Sequence, residues 1–226
     1  MAKRYAQYCP VAHALELVGE RWALLVVREL LGGPKRYTDL AAGLPGIGTN
    51  ILAARLRDLD DAGVIQKRRL PPPAAVNVYE LTPYGEELRE PLYALGRWGA
   101  RSLGPPGPRD ALAPGWLVNA VQATCREWEG RAKGTFELHA GEDEVVTVSF
   151  ENGKPVAEPG TSDEAGVVIE TDPTTLFCIA SRDASIEESI ASGDVRIRGD
   201  RADAKRFLSL FSFDKEPRRS GELEHV

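Results

Sequence analysis

Apolar residues recur three and four positions apart through the first sixty residues, which is the spacing of amphipathic helices. The last stretch is the clearest, because Leu52, Leu56 and Leu59 form one apolar stripe and Gly63 follows as a stop. The predicted helices span about 11–18, 22–31, 38–44 and 49–61. The pattern therefore predicts a small helical core at the start of the chain.

After these helices the pattern changes to short runs of strand-forming residues. Two of them, Val64–Leu70 and Val76–Thr82, flank the stiff segment Pro71–Ala75, which predicts a hairpin. A final helix is expected to begin at Pro83 and to be kinked by Pro91. Its predicted apolar face comprises Leu88, Leu92, Leu95 and Trp98. Three helices with a short turn before the third, followed by a two-stranded wing, predict a winged helix-turn-helix.

A proline- and glycine-rich stretch over residues 104–115 divides the chain, because it cannot continue a helix or a central strand. Residues 1–103 are predicted to form the winged helix domain, and residues 116–213 a second domain. The polar segment 214–226 lacks periodicity and is expected to be a flexible tail.

The second domain is predicted to be α+β, with helices covering one face of a sheet. Helices are expected over 116–130, 172–181, 184–192 and 202–211, and strands around 136–138, 146–150, 167–169 and 195–198. The segment Glu151–Lys154 contains Asn-Gly, which readily adopts positive φ and predicts a hairpin turn.

The charge is divided unevenly along the 226 residues, whose net charge is −6. Residues 1–104 hold 14 Lys/Arg and 11 Asp/Glu, a net of +3, whereas the remainder holds 14 and 23, a net of −9. This division is compatible with nucleic-acid contact by the first domain and argues against polyanion binding by the whole chain.

The helix from Thr49 carries the best candidates for reading DNA. If its leucine stripe faces the core, the opposite face presents Asn50, Ala53 and Arg57, and its first residues point toward base edges. Basic residues on the wing are expected to bind phosphates. The candidate DNA-contacting residues are Arg36, Thr49, Asn50, Ala53, Arg55, Arg57, Lys67, Arg68 and Arg69. The alternatives are a solvated helix face and a strand edge protected by charge.

The first domain resembles the HxlR family of bacterial transcription regulators. The likeness is carried by Cys9-Pro10, Gly19–Trp22, Arg36–Leu40, Leu44–Ile47, Leu52, Arg55–Leu59, Gly63–Ile65, Tyr79, Leu81-Thr82, Gly85, Pro91-Leu92 and Trp98-Gly99. The resemblance implies a homodimeric winged helix protein that binds a pseudo-palindromic operator in double-stranded DNA, with dimer contacts from its first and last helices. The sequence departs from the family pattern at Gly48, Asn50 and Ala53.

The second domain resembles the sterol-carrier-protein type-2 family. The likeness is carried by Asp172–Leu176, Ile190, Gly193–Asp200, Phe207-Leu208 and Leu210-Phe211. The resemblance implies a tunnel for a small hydrophobic ligand between sheet and helices. The candidate lining residues are Phe136, Val148, Leu176, Phe177, Ile190, Ile197, Phe207 and Phe211. For each of these residues alone, packing in a closed core is the competing interpretation.

Few residues suggest covalent or metal chemistry. The histidines (His13, His139 and His225) lack metal-ligand spacing, and no phosphate loop or nucleophile elbow occurs. We therefore expect neither enzyme activity nor a metal or cofactor. The low cysteine content and the lack of a long apolar run are typical of a cytoplasmic protein without a membrane segment.

The sequence as a whole predicts a cytoplasmic, homodimeric transcription regulator that responds to a small hydrophobic ligand. One alternative is a redox- or electrophile-sensing repressor that acts through Cys9, which precedes the first helix. Another is a carrier or enzyme for an apolar substrate that uses the winged helix only for dimerisation.

Overall fold

A computed structural model describes residues 5–107, 110, 112–130, 134–141 and 144–213. The chain divides into two compact units, one up to Leu92 and one from Tyr93. The expected tail, residues 214–226, lies outside the described residues, as does part of the expected linker.

The first unit contains helices followed by a two-stranded antiparallel sheet. In chain order its elements are α1 (Pro10–Val18), α2 (Ala23–Leu30), α3 (Tyr37–Gly43), α4 (Thr49–Asp61), β1 (Ile65–Arg69), β2 (Asn77–Leu81), α5 (Pro83–Glu86) and the start of α6 (Arg89–Leu103). Strands β1 and β2 pair with Lys67 opposite Tyr79 and form the wing. This element order is that of a winged helix-turn-helix, as the sequence predicted.

The core of the first unit lies between α2 and α4. Val26 and Val27 of α2 are fully buried, and so are Leu52 and Leu59 of α4. The stripe predicted for α4 is therefore confirmed, and at roughly 25 cal/mol per Å² its burial provides much of the force that seats this helix.

The last predicted helix of the winged domain is two helices. A four-residue helix, α5, starts with Pro83 after the Thr82 hydroxyl caps it by accepting from the Gly85 N–H at 3.1 Å. The chain then restarts as α6 at Arg89, which places Pro91 in a first turn, where its missing N–H costs nothing. The expected kink at Pro91 was wrong, because the break precedes it.

From Tyr93 onward α6 belongs to the second unit. Ala100 packs against the core of that unit, and the Arg97 guanidinium donates to the Ala123 carbonyl at 3.3 Å. The units consequently divide inside a helix, upstream of the proline- and glycine-rich stretch at 104–115.

The remainder of the second unit is a five-stranded sheet with helices on one face. Its elements are α7 (Trp116–Thr124), β3 (Thr135–Ala140), β4 (Val145–Glu151), β5 (Lys154–Pro159), β6 (Ala165–Thr171), α8 (Pro173–Ala180), α9 (Ile186–Ser192), β7 (Arg196–Gly199) and α10 (Arg201–Leu210). The strand order is β5-β4-β3-β6-β7, with β3 and β6 parallel and the other pairs antiparallel. The predicted α+β class is that of the structure.

Of two local features predicted for this unit, one is confirmed and the other is wrong. The hairpin between β4 and β5 is confirmed, since Asn152 and Gly153 both have positive φ (52° and 84°). The helix expected to reach residue 130 ends at Thr124, because Cys125 is extended and bridges Phe211. Tertiary pairing there overrides helical periodicity, and Trp128 enters the core from a loop.

Aromatic rings fill the space between the sheet and α10. Phe207 stacks on Phe136 with ring centroids 4.6 Å apart, and Phe211 meets Phe207 edge-on at 5.2 Å. Trp128 lies 5.3 Å from both Phe136 and Phe150. These contacts make the rings a closely packed cluster.

Candidate nucleic-acid interface

Helix α4 presents a polar, exposed face opposite its buried stripe. Thr49, Asn50, Ala53 and Arg57 are all exposed on this face. The side chains are short near the start of the helix, whereas Arg57 extends from its second half. Such a face can approach base edges closely, and the long side chain of Arg57 can reach a guanine or a phosphate.

The start of α4 is held by a hydroxyl from the preceding helix. Gly48 occupies the N-cap and provides no side-chain cap, although its carbonyl accepts from the Ile51 and Leu52 N–H groups at 3.0 Å. The Tyr37 hydroxyl donates to the Thr49 carbonyl at 2.9 Å. Tyr37 therefore fixes the end of α4 that carries the candidate base contacts, a role that the sequence analysis missed because it depends on packing between helices.

Arg55 lies beside the exposed face but is engaged within the protein. Its guanidinium is 3.2 Å from the Asp58 carboxylate and 3.6 Å from that of Glu20, and its side chain is only 17% exposed. Of the two α4 arginines predicted to contact DNA, Arg57 is thus the more accessible.

The wing carries its three predicted cations in different surroundings. Lys67 lies over the Tyr79 ring, 5.9 Å from its centroid, whereas Arg68 forms a bidentate pair with Glu80. Arg69 is exposed at the end of β1. Glu80 was missed by the sequence analysis, since its partnership follows only from the strand register.

The segment that leads into α3 is bonded both to a buried carboxylate of α2 and to the wing. Glu29 of α2 is 4% exposed and binds Lys35 at 2.7 Å and Arg28 at 2.8 Å. Lys35 also exchanges two backbone hydrogen bonds with Tyr79 of β2, at 2.8 and 2.9 Å. The exposed Arg36, another predicted phosphate contact, follows directly, so its backbone is held between the helices and the wing.

The eight candidate ligand-lining residues lie together in the core of the second unit. Five are buried, namely Phe136, Val148, Leu176, Phe207 and Phe211, and three are half-buried, namely Phe177, Ile190 and Ile197. The five buried residues belong to one hydrophobic core cluster, and the three half-buried residues pack against it. Within the same core the Trp128 indole N–H is buried and lacks a hydrogen-bond partner among the described residues.

The cysteines occupy unlike environments. Cys9 is a free, half-buried thiol at the N-cap of α1. Burial raises the pKa of the Cys125 thiol to about 12, which keeps it protonated. In the described part of the chain, no three potential ligand side chains gather to hold a metal ion, and no helix is long and apolar enough to cross a membrane.

Comparison with known proteins identifies a family for the N-terminal part of the chain. Residues 17–106 match the model of the HxlR-like helix-turn-helix family. An uncharacterized HTH-type transcriptional regulator of Synechocystis, sll1512, is 36% identical over 92 residues, which cover 41% of this chain and 68% of that protein. The chain belongs to the HxlR family. Residues 107–226 lie outside the family match.

A second relative of the family has known structures. The HTH-type transcriptional regulator YodB of Bacillus subtilis is 31% identical over 91 residues, covering 40% of this chain and 81% of YodB. The solved reduced form of YodB aligns with 42% of this chain and 94% of its own, with 29% identity and a TM-score of 0.38. A quinone-bound form of YodB has also been solved.

Proposed function

We propose that this HxlR-family protein is a DNA-binding transcription regulator that acts as a homodimer on a two-fold operator. The observation that carries the proposal is α4, whose leucine stripe is buried while Asn50 and Arg57 face outward. A rigid helix with this division enters the major groove, and phosphate contacts from Arg36, Lys67 and Arg69 set its register.

Exposed apolar side chains support the homodimer. On α1 and the segment before it, Tyr8, Val11 and Leu15 are exposed, Val11 to 67%. On α6, Trp98 and Leu103 are exposed to 68% and 72%. Apolar helix faces of this kind are typical of protein interfaces. A two-fold dimer then presents two α4 helices to half-sites about one helical turn apart.

Arg57→Ala is expected to weaken operator binding by about five-fold or more, since loss of a base contact costs about 1–3 kcal/mol. Fluorescence anisotropy with a duplex from upstream of the protein's own gene measures the effect. Arg126→Ala, which removes an exposed arginine of the second unit, is the control and should leave affinity unchanged. Failure of the wild type to bind at low salt, or equal affinity of Arg57→Ala, would support the carrier or enzyme alternative instead.

We further propose that the second unit senses a small hydrophobic ligand. The aromatic cluster offers an apolar environment, and the unpartnered Trp128 N–H is suited to anchor a ligand carbonyl or carboxylate. Regulation requires the ligand to favour one dimer geometry over the other. In the same anisotropy assay, oleate as the probe should change operator affinity, and an unchanged affinity at saturating oleate argues against an apolar effector of this class.

Cys9 is a second candidate for the site that senses the regulatory signal, because its thiol is free and partly accessible at the start of α1. The related YodB has been solved both reduced and bound to a quinone. Benzoquinone is expected to reduce operator binding by the wild type and to leave Cys9→Ser unaffected. Cys178→Ser serves as the thiol control, and an identical response of Cys9→Ser and wild type would exclude Cys9 as the sensor.

A further inference from the structure

The two strands of the wing place its charges on alternating faces. In the β1–β2 register Gln66 is opposite Glu80 and Arg68 is opposite Val78, so these side chains share one face. Lys67 and Arg69 point to the other face. The wing therefore has three cations on one strand and a single carboxylate that lies diagonally across from the middle cation.

Both oxygens of Glu80 are occupied by this arrangement. The Arg68 Nε lies 2.8 Å from Oε1 and 2.9 Å from Oε2, and its Nη2 lies 2.7 Å from Oε2. Gln66 adds a hydrogen bond from its amide to Oε1 at 2.9 Å. Hydrogen bonding to Arg68 lowers the pKa of Glu80, and the same bond raises the pKa of Arg68, so both groups are charged at neutral pH.

The Nε–Nη2 edge of the Arg68 guanidinium, which is engaged by Glu80, is a donor fork that could otherwise bind a phosphate. Arginine recognises carboxylates and phosphates with the same planar fork of donors. Because the Arg68 side chain is 45% exposed, its pair with Glu80 contributes little net stability, yet it still competes with an incoming phosphate. A phosphate that displaced Glu80 would also leave an unpaired carboxylate beside the polyanion.

We infer that Glu80 limits the affinity of the wing for DNA by keeping Arg68 in an internal pair, so that Lys67 and Arg69 supply the phosphate contacts. This inference rests on the proposed function, since it assigns roles within the same DNA interface. As a consequence, the wing has a net charge of +2, and only Lys67 and Arg69 are available to phosphates. Operator selection then depends more on α4 than on sequence-independent attraction.

Salt titration of DNA affinity tests the inference. Glu80→Gln is expected to raise affinity for a random-sequence duplex about three- to ten-fold near 0.15 M salt, and to steepen the slope of log K against log salt by about one. The double variant Arg68→Gln/Glu80→Gln removes the pair while conserving charge, and should match the wild type within about two-fold. Lys67→Gln should weaken binding and flatten the slope by about one.

Glu86→Gln is the matched control, because Glu86 also pairs with an arginine, Arg89 at 2.7 Å, but lies outside the wing. Its affinity should stay within about two-fold of the wild type. The inference is overturned if Glu80→Gln binds no more tightly, or if the double variant loses as much affinity as Lys67→Gln. A wild type that binds no duplex at low salt instead overturns the proposed function itself, so the two failures are distinguishable.

Discussion

Phe207→Ala is expected to lower the free energy of unfolding of the second unit by about 3–5 kcal/mol, the range for deleting a buried phenyl ring. Phe207 is fully buried, stacks on Phe136 at 4.6 Å and meets Phe150 at 6.3 Å and Phe211 at 5.2 Å. Its removal leaves a void lined by three rings that are fixed by the sheet and by α10 itself. Differential scanning calorimetry measures the loss.

Phe177→Ala is the matched control for this substitution. Phe177 is half-buried and meets the Phe213 ring at 5.2 Å, so its truncation should cost clearly less. A loss below about 1 kcal/mol for Phe207→Ala would mean that the aromatic rings are not closely packed. In that case its rings line a ligand space more than they fill a core, and oleate should then raise the transition temperature through linkage.

Gly85→Ala is expected to destabilise the first unit by about 3 kcal/mol, because an added Cβ would lie 2.0 Å from the Val64 carbonyl oxygen. That oxygen belongs to backbone at the start of the wing and cannot swing aside. Thr82 locks the same junction, since its hydroxyl lies 2.6 Å from the Gly63 carbonyl oxygen and accepts from the Gly85 N–H. For a unit of this size the melting temperature should fall by more than about 10 °C.

Gly32→Ala provides the control for Gly85→Ala, because Gly32 lies in the same unit and an added Cβ would meet only the Glu29 carbonyl oxygen, at an ordinary contact distance of 3.8 Å. Alanine there should be neutral or stabilising by up to about 1 kcal/mol, because it reduces the conformational entropy of the unfolded chain. Circular dichroism melts of the two variants compare them directly. Equal melting temperatures would show that the junction at Val64 accommodates the methyl group by a small backbone shift.

Local patterns predicted those elements whose ends are set by nearby residues. The bounds of α4 follow from its leucine stripe and from Gly63, and the start of α8 follows from Asp172, whose carboxylate accepts from the Thr174 and Thr175 N–H groups at 2.8 and 3.0 Å. The exposed face of α4 was predictable for the same reason, because burying the stripe fixes where the other side chains point.

Features that depend on distant partners were not predictable from local pattern. The end of α7 at Thr124 follows from the bridge of Cys125 to Phe211, far along the chain. The engagement of Arg68 by Glu80 and the clamp of Tyr37 on Thr49 likewise require the register of two strands and the packing of two helices. Sequence alone treated the wing cations as equivalent, and tertiary structure distinguishes them.

The position of α10 at the end of the described chain has a consequence for biosynthesis. Strands β3 and β6 are neighbours in the sheet but are separated by the β4–β5 hairpin in sequence, and the ring of Phe207 arrives only with α10. A nascent chain therefore carries a partly uncovered apolar sheet face until α10 leaves the ribosome, because α7 packs mainly against β4 and β5. A polypeptide truncated before Arg201 would leave the part of the sheet that Phe207 covers exposed to solvent, which makes it a target for chaperones and proteases.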